Sequence, residues 1–334
     1  MKIAVDGMGG DRAPGVVVDG AVMAARDLPV EIVLVGDRVR LAAELDRHGA
    51  VPSSLTLHHA SEVIGMDEPP ALSVRKKRDS SITVMVELAR SGAVDALVSA
   101  GNTGAVVCAT TLGLRLLEGI ERPGIAIVVP TLTQPSLLID VGATIDPKPE
   151  HLVQFGVMGS VYSKALLGKT RPSVGLLNVG EKESKGTEAI KEAFRMLEQT
   201  PLHFIGNVEG RDIYTGKCDV IVCDGFVGNI TLKVTESMAK VIAQLLKREL
   251  RQNVLTQFGA FLSLSAFKAL RKKVDYAEYG GAPLLGVEGT CIICHGASSA
   301  RAIKNAIRVA ASSVTEQVNA GIVAAMKEMT TCRL

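Results

Sequence analysis

Residues 1–14, MKIAVDGMGGDRAP, decide how the rest of the chain reads. The apolar run Ile3-Ala4-Val5 leads into three glycines within four residues, Gly7, Gly9 and Gly10, bracketed by Asp6 and Asp11. A buried strand feeding a glycine-rich turn and then a helix is a common phosphate holder. The helix start offers unpaired N–H groups and the positive end of its dipole.

The same unit recurs along the 334 residues. Apolar β-runs fall at 3–5, 32–35, 55–57, 96–99, 125–129, 137–140, 174–178, 220–223 and 291–294. Helical patterns fill 14–26, 104–117, 150–167, 186–198 and 228–251, and an Ala-rich helical stretch closes the chain at 298–329. This alternation predicts a three-layer α/β/α sandwich on a largely parallel sheet. No Pro-, Ser- or Gly-rich linker divides the chain, so residues 1–334 are expected to form a single continuous α/β domain of two intertwined halves at most.

Open parallel sheets bind ligands beyond the carboxyl ends of their strands. There the sequence places glycines beside short polar residues: DGMGGD at 6–11, SAGNTG at 99–104, DVGAT at 140–144, NVGEKESKG at 178–186 and CDGFVGN at 223–229. One such loop is weak evidence, because glycine also ends strands and caps helices. Five of them are expected to converge on one sheet edge as a phosphate-rich or anion-rich site.

Several functions drop out. Arg12 stands where the dinucleotide fingerprint needs a third glycine, and no P-loop, H-E-x-x-H, clustered zinc ligands or G-x-S-x-G elbow is present. No metal and no cofactor is expected. A net charge of +2, 3% aromatics and no Trp argue against nucleic acid. The N-terminus enters a strand with no signal-peptide pattern. Two uncharged stretches, 96–114 and 124–139, are broken by a polar turn and by Pro130 and Pro135, so both read as core rather than membrane spans. Six cysteines, mostly in apolar runs, suit reduced thiols in a cytosol. CIICH at 291–295 has haem-attachment spacing, yet strand alternation points Cys291 and Cys294 to different faces. It reads as a buried strand ending at His295-Gly296.

With AVDGMGGD, SAGNTGA, KPEHLVQFGVMGSVY, GLLNVGEKESKG, GNVEGRD, CDGFVGNITLK and YGGAPLLG in this order, the sequence resembles the bacterial phosphate acyltransferases over essentially its whole length. That resemblance implies transfer of a long-chain fatty acyl group from acyl carrier protein to inorganic phosphate, giving acyl phosphate for phospholipid synthesis. It implies the fold of the isocitrate and isopropylmalate dehydrogenases, one mixed sheet in a homodimer, without those enzymes' cofactor use. It also implies a cytoplasmic protein in peripheral membrane contact, handing its product to a membrane glycerol-3-phosphate acyltransferase. Gly7 departs from the alanine expected there, and the Cys291/Cys294 pair departs from the family pattern.

The implied reaction suits these residues. Phosphate is anionic and nucleophilic near pH 7, so the site must supply a cradle, an oxyanion partner and geometry rather than a protein nucleophile. Lys185 is the expected phosphate-binding cation, Asn229 the oxyanion donor and Asn102 a second contact. The expected lining is Asp6, Gly9, Gly10, Asp11, Ser99, Gly101, Thr103, Gly104, Asp140, Asn178, Gly186, Asp224, Gly225, Gly228 and His295. Its carboxylates would orient loops and lysines, since a bare one repels phosphate. The alternatives stay open: Asn102 and Asn229 as helix caps, Lys185 as a solvated lysine, His295 as a strand-end histidine.

An acidic carrier protein calls for a basic surface beside an apolar path. Residues 245–273 read as two helices joined by an apolar tip, a basic amphipathic hairpin. Lys247, Arg248 and Arg251 lie on one side, Lys268, Arg271, Lys272 and Lys273 on the other, and Phe258, Phe261 and Phe267 between them. Its occupant is membrane, carrier protein or a dimer partner. A second basic stretch, VRKKRDSS at 74–81, either helps hold the carrier's phosphopantetheine or is a solvated helix end. Two other functions remain: a phosphotransacetylase-like enzyme acting on coenzyme A, and a lipid-sensing scaffold without turnover.

Overall fold

The computed structural model describes residues 1–274 and 279–331, with side chains for 1–270 and 279–329. Its strands are β1 (Lys2–Asp6), β2 (Glu31–Gly36), β3 (Leu55–His59), β4 (Ala96–Ser99), β5 (Gly124–Val129), β6 (Ser136–Ile139), β7 (Ser173–Leu177), β8 (His203–Val208), β9 (Val220–Val222), β10 (Ala282–Leu285) and β11 (Thr290–Ile293). The helices in the first half of the chain are α1 (Gly15–Asp27), α2 (Arg38–Leu45), α3 (Pro70–Lys76), α4 (Ser81–Arg90), α5 (Thr103–Leu114) and α6 (Pro149–Leu166). Those in the second half are α7 (Glu188–Glu198), α8 (Gly225–Leu250), α9 (Val254–Leu262), α10 (Leu264–Val274), α11 (Ala300–Thr315) and α12 (Val318–Thr331).

The strands form one sheet in the order β3-β2-β1-β4-β11-β10-β5-β6-β9-β7-β8. Alternation along each strand sorts its side chains between two faces. Ala4, Val33 and Leu97 face a core that continues through Leu138, Ile221 and Cys291 beneath α4 and α5. On the opposite face, Ile3, Val5, Leu34 and Cys294 pack beneath α1 and α11. Ile139, Val174 and Val222 pack there beneath α6, α7 and α12. Cys291 and Cys294 therefore lie on opposite sides of the sheet, both free and both buried.

Strand direction overturns the expected convergence. β1, β2, β3, β4 and β11 run parallel. β10 pairs antiparallel with both β11 and β5, and β5 pairs antiparallel with β6. β6, β9, β7 and β8 are again parallel to one another but run opposite to β1. The carboxyl ends of β1, β4 and β11 thus sit at one end of the strands, and those of β6, β9 and β7 at the other. The five glycine loops form two groups, not one.

Three local differences have physical reasons. β8 escapes the sequence pattern because it is a half-exposed edge strand carrying Gly206 at φ +90°. β10 has four residues and a proline, too short for a periodicity to register. The closing helix is two helices, because Gln317 adopts φ +51° and turns the chain between α11 and α12. Among the described residues no helix is long and apolar enough to cross a membrane.

Candidate functional site

At the first group of strand ends, Asp6 is fully buried. Its Oδ2 accepts from Ser99 Oγ at 2.7 Å and its Oδ1 from the Met8 N–H at 3.1 Å. Ser99 Oγ in turn accepts from the Gly101 N–H at 3.0 Å. Burial pushes the Asp6 carboxyl above the usual carboxylate range, and the Ser81 and Ser99 hydroxyls partly counter it. Gly9 lies over this carboxylate so closely that a Cβ would stand 2.4 Å from Oδ2 and 2.6 Å from the Gly101 nitrogen. Gly10, at φ +106°, turns the chain so that the Asp11 N–H reaches the Gly296 carbonyl at 2.8 Å. Asp11, Thr103 and His295 are exposed beside it, and His295 Nδ1 accepts from the Ala297 N–H at 3.0 Å.

Asn102, the expected second contact, has its side chain hydrogen-bonded at both ends. Its Oδ1 caps α5 by accepting from the Ala105 N–H at 3.1 Å. Its Nδ2 donates to the carbonyls of Gly65, Met66 and Glu68 at 3.1, 3.0 and 3.1 Å. Both ends of a buried amide are occupied, so Asn102 caps a helix and grips the 65–68 loop. Gly104 lets Pro70 at the start of α3 approach α5, because a Cβ would meet Pro70 Cγ at 2.6 Å.

The second group is organised by Asp140. Its Oδ1 accepts from the N–H groups of Ile125, Gly142 and Ala143 at 2.8, 3.0 and 3.0 Å, and its Oδ2 from Thr144 at 2.6 Å. Burial raises its carboxyl despite these donors. Thr144 O accepts from the Gly225 N–H at 2.9 Å, and Asp224 caps α8 through the Val227 N–H at 2.8 Å. α8 starts so close to this loop that a Cβ on Gly228 would stand 1.9 Å from the Asp140 carbonyl oxygen. Asn229 is exposed one residue further on, beside Gly142.

Lys185 lies at the same end of the strands, on the loop after β7. Asn178 Nδ2 donates to the Lys185 carbonyl at 3.1 Å, and Gly186 passes over the Asn178 amide at φ +89°. The Lys185 side chain is exposed and meets no carboxylate within ion-pair distance among the described residues. Thr187 then caps α7 through the Ile190 N–H. Sequence reasoning missed Asn207, which holds this loop from β8. Its Nδ2 donates to the Glu181 and Lys182 carbonyls at 3.5 and 3.2 Å, while its buried Oδ1 has no partner. The only signal was its place after the first glycine of GNVEGRD. Sequence reasoning also missed Glu68, whose carboxylate accepts from the Gly65 N–H, Ser73 Oγ and Lys77 Nζ at 2.8, 2.8 and 2.6 Å.

The basic apolar stretch is built of three helical pieces rather than two: the end of α8, then α9, then α10. Lys247, Arg248, Arg251, Phe258, Phe261 and Lys268 are exposed, and Phe267 is half-buried. Arg271, Lys272 and Lys273 continue α10, but their side chains lie outside the described residues.

The mixed sheet with helices on both faces defines an α/β class with solved members. A phosphotransacetylase from Streptococcus pyogenes matches with a TM-score of 0.65 at 18% identity, over 95% of this chain and 94% of that one. A 4-hydroxythreonine-4-phosphate dehydrogenase from Klebsiella pneumoniae matches with a TM-score of 0.53 at 15% identity, over 94% and 99%. Likeness at such identities concerns the fold alone. Residues 1–321 match the family described as fatty acid synthesis protein. The chain is 51% identical over 322 residues to the phosphate acyltransferase of Syntrophotalea carbinolica, covering 96% of this chain and 93% of that one. It is 51% identical over 323 residues to that of Heliobacterium modesticaldum, covering 96% of each. The chain belongs to the fatty acid synthesis protein family, and it is a transferase.

Proposed function

We propose that this chain transfers a long-chain fatty acyl group from acyl carrier protein to inorganic phosphate, giving acyl phosphate for phospholipid synthesis. The carrying observation is that relatives named phosphate acyltransferase match at half identity from end to end. A chemical argument supports it: the exposed Lys185 and Asn229 lie at the same strand ends, around loops held by the buried Asp140 carboxylate and the buried Asn207 amide.

In the proposed reaction Lys185 binds phosphate, and the start of α7 behind Gly186 adds N–H donors. A phosphate oxygen attacks the thioester carbonyl carbon, and the new C–O bond moves charge onto the carbonyl oxygen. The Asn229 amide donates to that oxyanion, a contribution of about 3–4 kcal/mol for a well-placed donor. Collapse breaks the C–S bond; the carrier's thiolate leaves and takes a proton from solvent. Asp6, Asp140 and Asp224 orient loops and stay clear of the phosphate.

A homodimer belongs to the same proposal. Val227, Ile230, Val234, Met238, Val241 and Leu245 form an exposed apolar stripe along α8 at helical spacing. A second copy covering it would also offer a way to bring together two strand-end groups that lie apart within one chain. α9 then supplies peripheral contact with an anionic membrane through Phe258 and Phe261, placing the product near a membrane glycerol-3-phosphate acyltransferase.

The test mixes purified protein, phosphate and long-chain acyl carrier protein, and traps acyl phosphate with hydroxylamine. Phosphate-dependent product from the carrier substrate is the expected result. Product from acyl coenzyme A alone would move the assignment to the phosphotransacetylase reaction, which the fold also accommodates. No product from either donor would leave a non-catalytic scaffold. Lys185→Ala is expected to lower turnover and raise the phosphate requirement without unfolding the protein; unchanged phosphate kinetics would remove Lys185 from the site.

A further inference from the structure

Helices α3 and α4 and the end of β3 enclose an open groove of about 990 Å³, lined among others by Leu72, Val74, Val84, Leu88 and His58. That volume lies at the upper end of the roughly 300–1,000 Å³ typical of ligand sites. Val74, Val84 and Leu88 are half-buried against the core and form an apolar floor; Leu72 stands exposed at its lip. Arg75, Lys76 and Arg78 are exposed along the rim.

The rim charge is uncompensated. Among the described residues no carboxylate lies within ion-pair distance of Arg75, Lys76 or Arg78. The nearby carboxylates are committed elsewhere: Glu68 to Lys77 at 2.6 Å, Glu87 to Arg90 at 2.7 Å, and Asp79 to the Ser61 hydroxyl at 2.5 Å. An apolar trough beneath three unpaired cations suits an occupant with an apolar chain and an acidic body.

Both walls are fixed to the first group of strand ends. Asn102 grips the 65–68 loop, and Glu68 on that loop accepts from Ser73 and Lys77 at the α3 wall. Pro70 of α3 packs against Gly104 of α5. The other wall begins at Ser81, buried where α4 packs against β1, and its hydroxyl helps offset the burial of the Asp6 carboxyl.

We infer that this groove is the docking site of the acyl donor: its floor takes the fatty acyl chain, and Arg75, Lys76 and Arg78 engage the acidic carrier protein that bears it. The inference rests on the phosphate acyltransferase proposal and adds where the donor binds. A donor without an acidic body would use the floor but not the rim, which separates carrier protein from small thioesters. Exposed charge pairs of this kind act mainly on encounter and are screened by salt.

The test compares wild type with the triple variant R75E/K76E/R78E and the milder R75Q/K76Q/R78Q, after far-UV circular dichroism confirms that each is folded. Binding of fluorescently labelled palmitoyl acyl carrier protein is read by anisotropy, independently of turnover. The expected result is at least tenfold weaker binding for charge reversal and an intermediate loss for the glutamine variant. High salt is expected to narrow the gap. In turnover, KM for the carrier substrate rises while KM for phosphate and rates with the neutral thioester palmitoyl-N-acetylcysteamine stay at wild-type values. Leu72→Glu is expected to remove the preference for acylated over unacylated carrier protein. Equal carrier binding by wild type and the charge-reversed protein overturns the inference, as does an equal loss of turnover with both donors. Carrier binding lost in the variant, with no acyl phosphate formed by wild type from any donor, would retain the docking site and overturn the reaction.

Discussion

Replacing Asn102 tests whether it acts as a staple or as a catalyst. Its side chain is 7% exposed, with Oδ1 capping α5 and Nδ2 facing three carbonyl oxygens of the 65–68 loop. Loss of an N-cap oxygen costs about 1 kcal/mol. Each carbonyl left without its donor adds about 0.5–1.5 kcal/mol, although two N–H groups serve three acceptors here. Asn102→Ala is therefore expected to lower unfolding free energy by about 2–4 kcal/mol in urea denaturation. Asn102→Asp keeps the cap acceptor but points a carboxylate at the same carbonyls, so it is expected to lose at least as much. A variant that loses turnover while its unfolding free energy falls by less than about 1 kcal/mol would refute this reasoning, because the amide would then be serving substrate rather than the loop.

Three further outcomes are expected. Glu68 has its carboxyl held down to about 2, chiefly by the Lys77 hydrogen bond and then by the Gly65 and Ser73 donors. Its folded value lies below the unfolded one, so its stabilisation is present above about pH 4.5 and is lost as pH falls toward 2. The stability gap between wild type and Glu68→Gln should shrink over that window, and a pH-independent gap would contradict it. Gly228→Ala places a Cβ against the Asp140 carbonyl and should cost roughly 1–3 kcal/mol or more, checked by the denaturation midpoint. Phe258→Asp with Phe261→Asp alters two exposed rings, so thermal stability should hold while sedimentation with anionic vesicles falls. Loss of fold in that double variant would mean the rings pack inside the protein.

Much of this protein was legible locally. Apolar runs marked nine of the strands, most of them because burial on both faces demands such runs, although the edge strand β3 is largely exposed. Polar residues with glycine marked where several of those strands end. Period-two alternation separated Cys291 from Cys294 correctly, and they line two different cores. Helix capping was legible at Asn102, where the structural role and the chemical one compete for the same side chain. Composition could not choose between them, because the carbonyls that occupy the Asn102 amide lie 34 to 37 residues away.

Direction and juxtaposition were decided only by tertiary structure. A strand's sequence records its burial and backbone conformation, but its direction in a sheet depends on which partner it pairs with. Here β10 pairs antiparallel with both β11 and β5, which leaves β5 in the sense of β1, and the antiparallel pairing of β6 with β5 then reverses every strand beyond it. That reversal carries the Lys185 and Asn229 loops away from the Asp6 and Asn102 loops, although all share one vocabulary of glycine, aspartate and asparagine. The groove beneath Arg75, Lys76 and Arg78 arises the same way: its floor and rim come from α3, α4 and β3, and only packing on the sheet places them together.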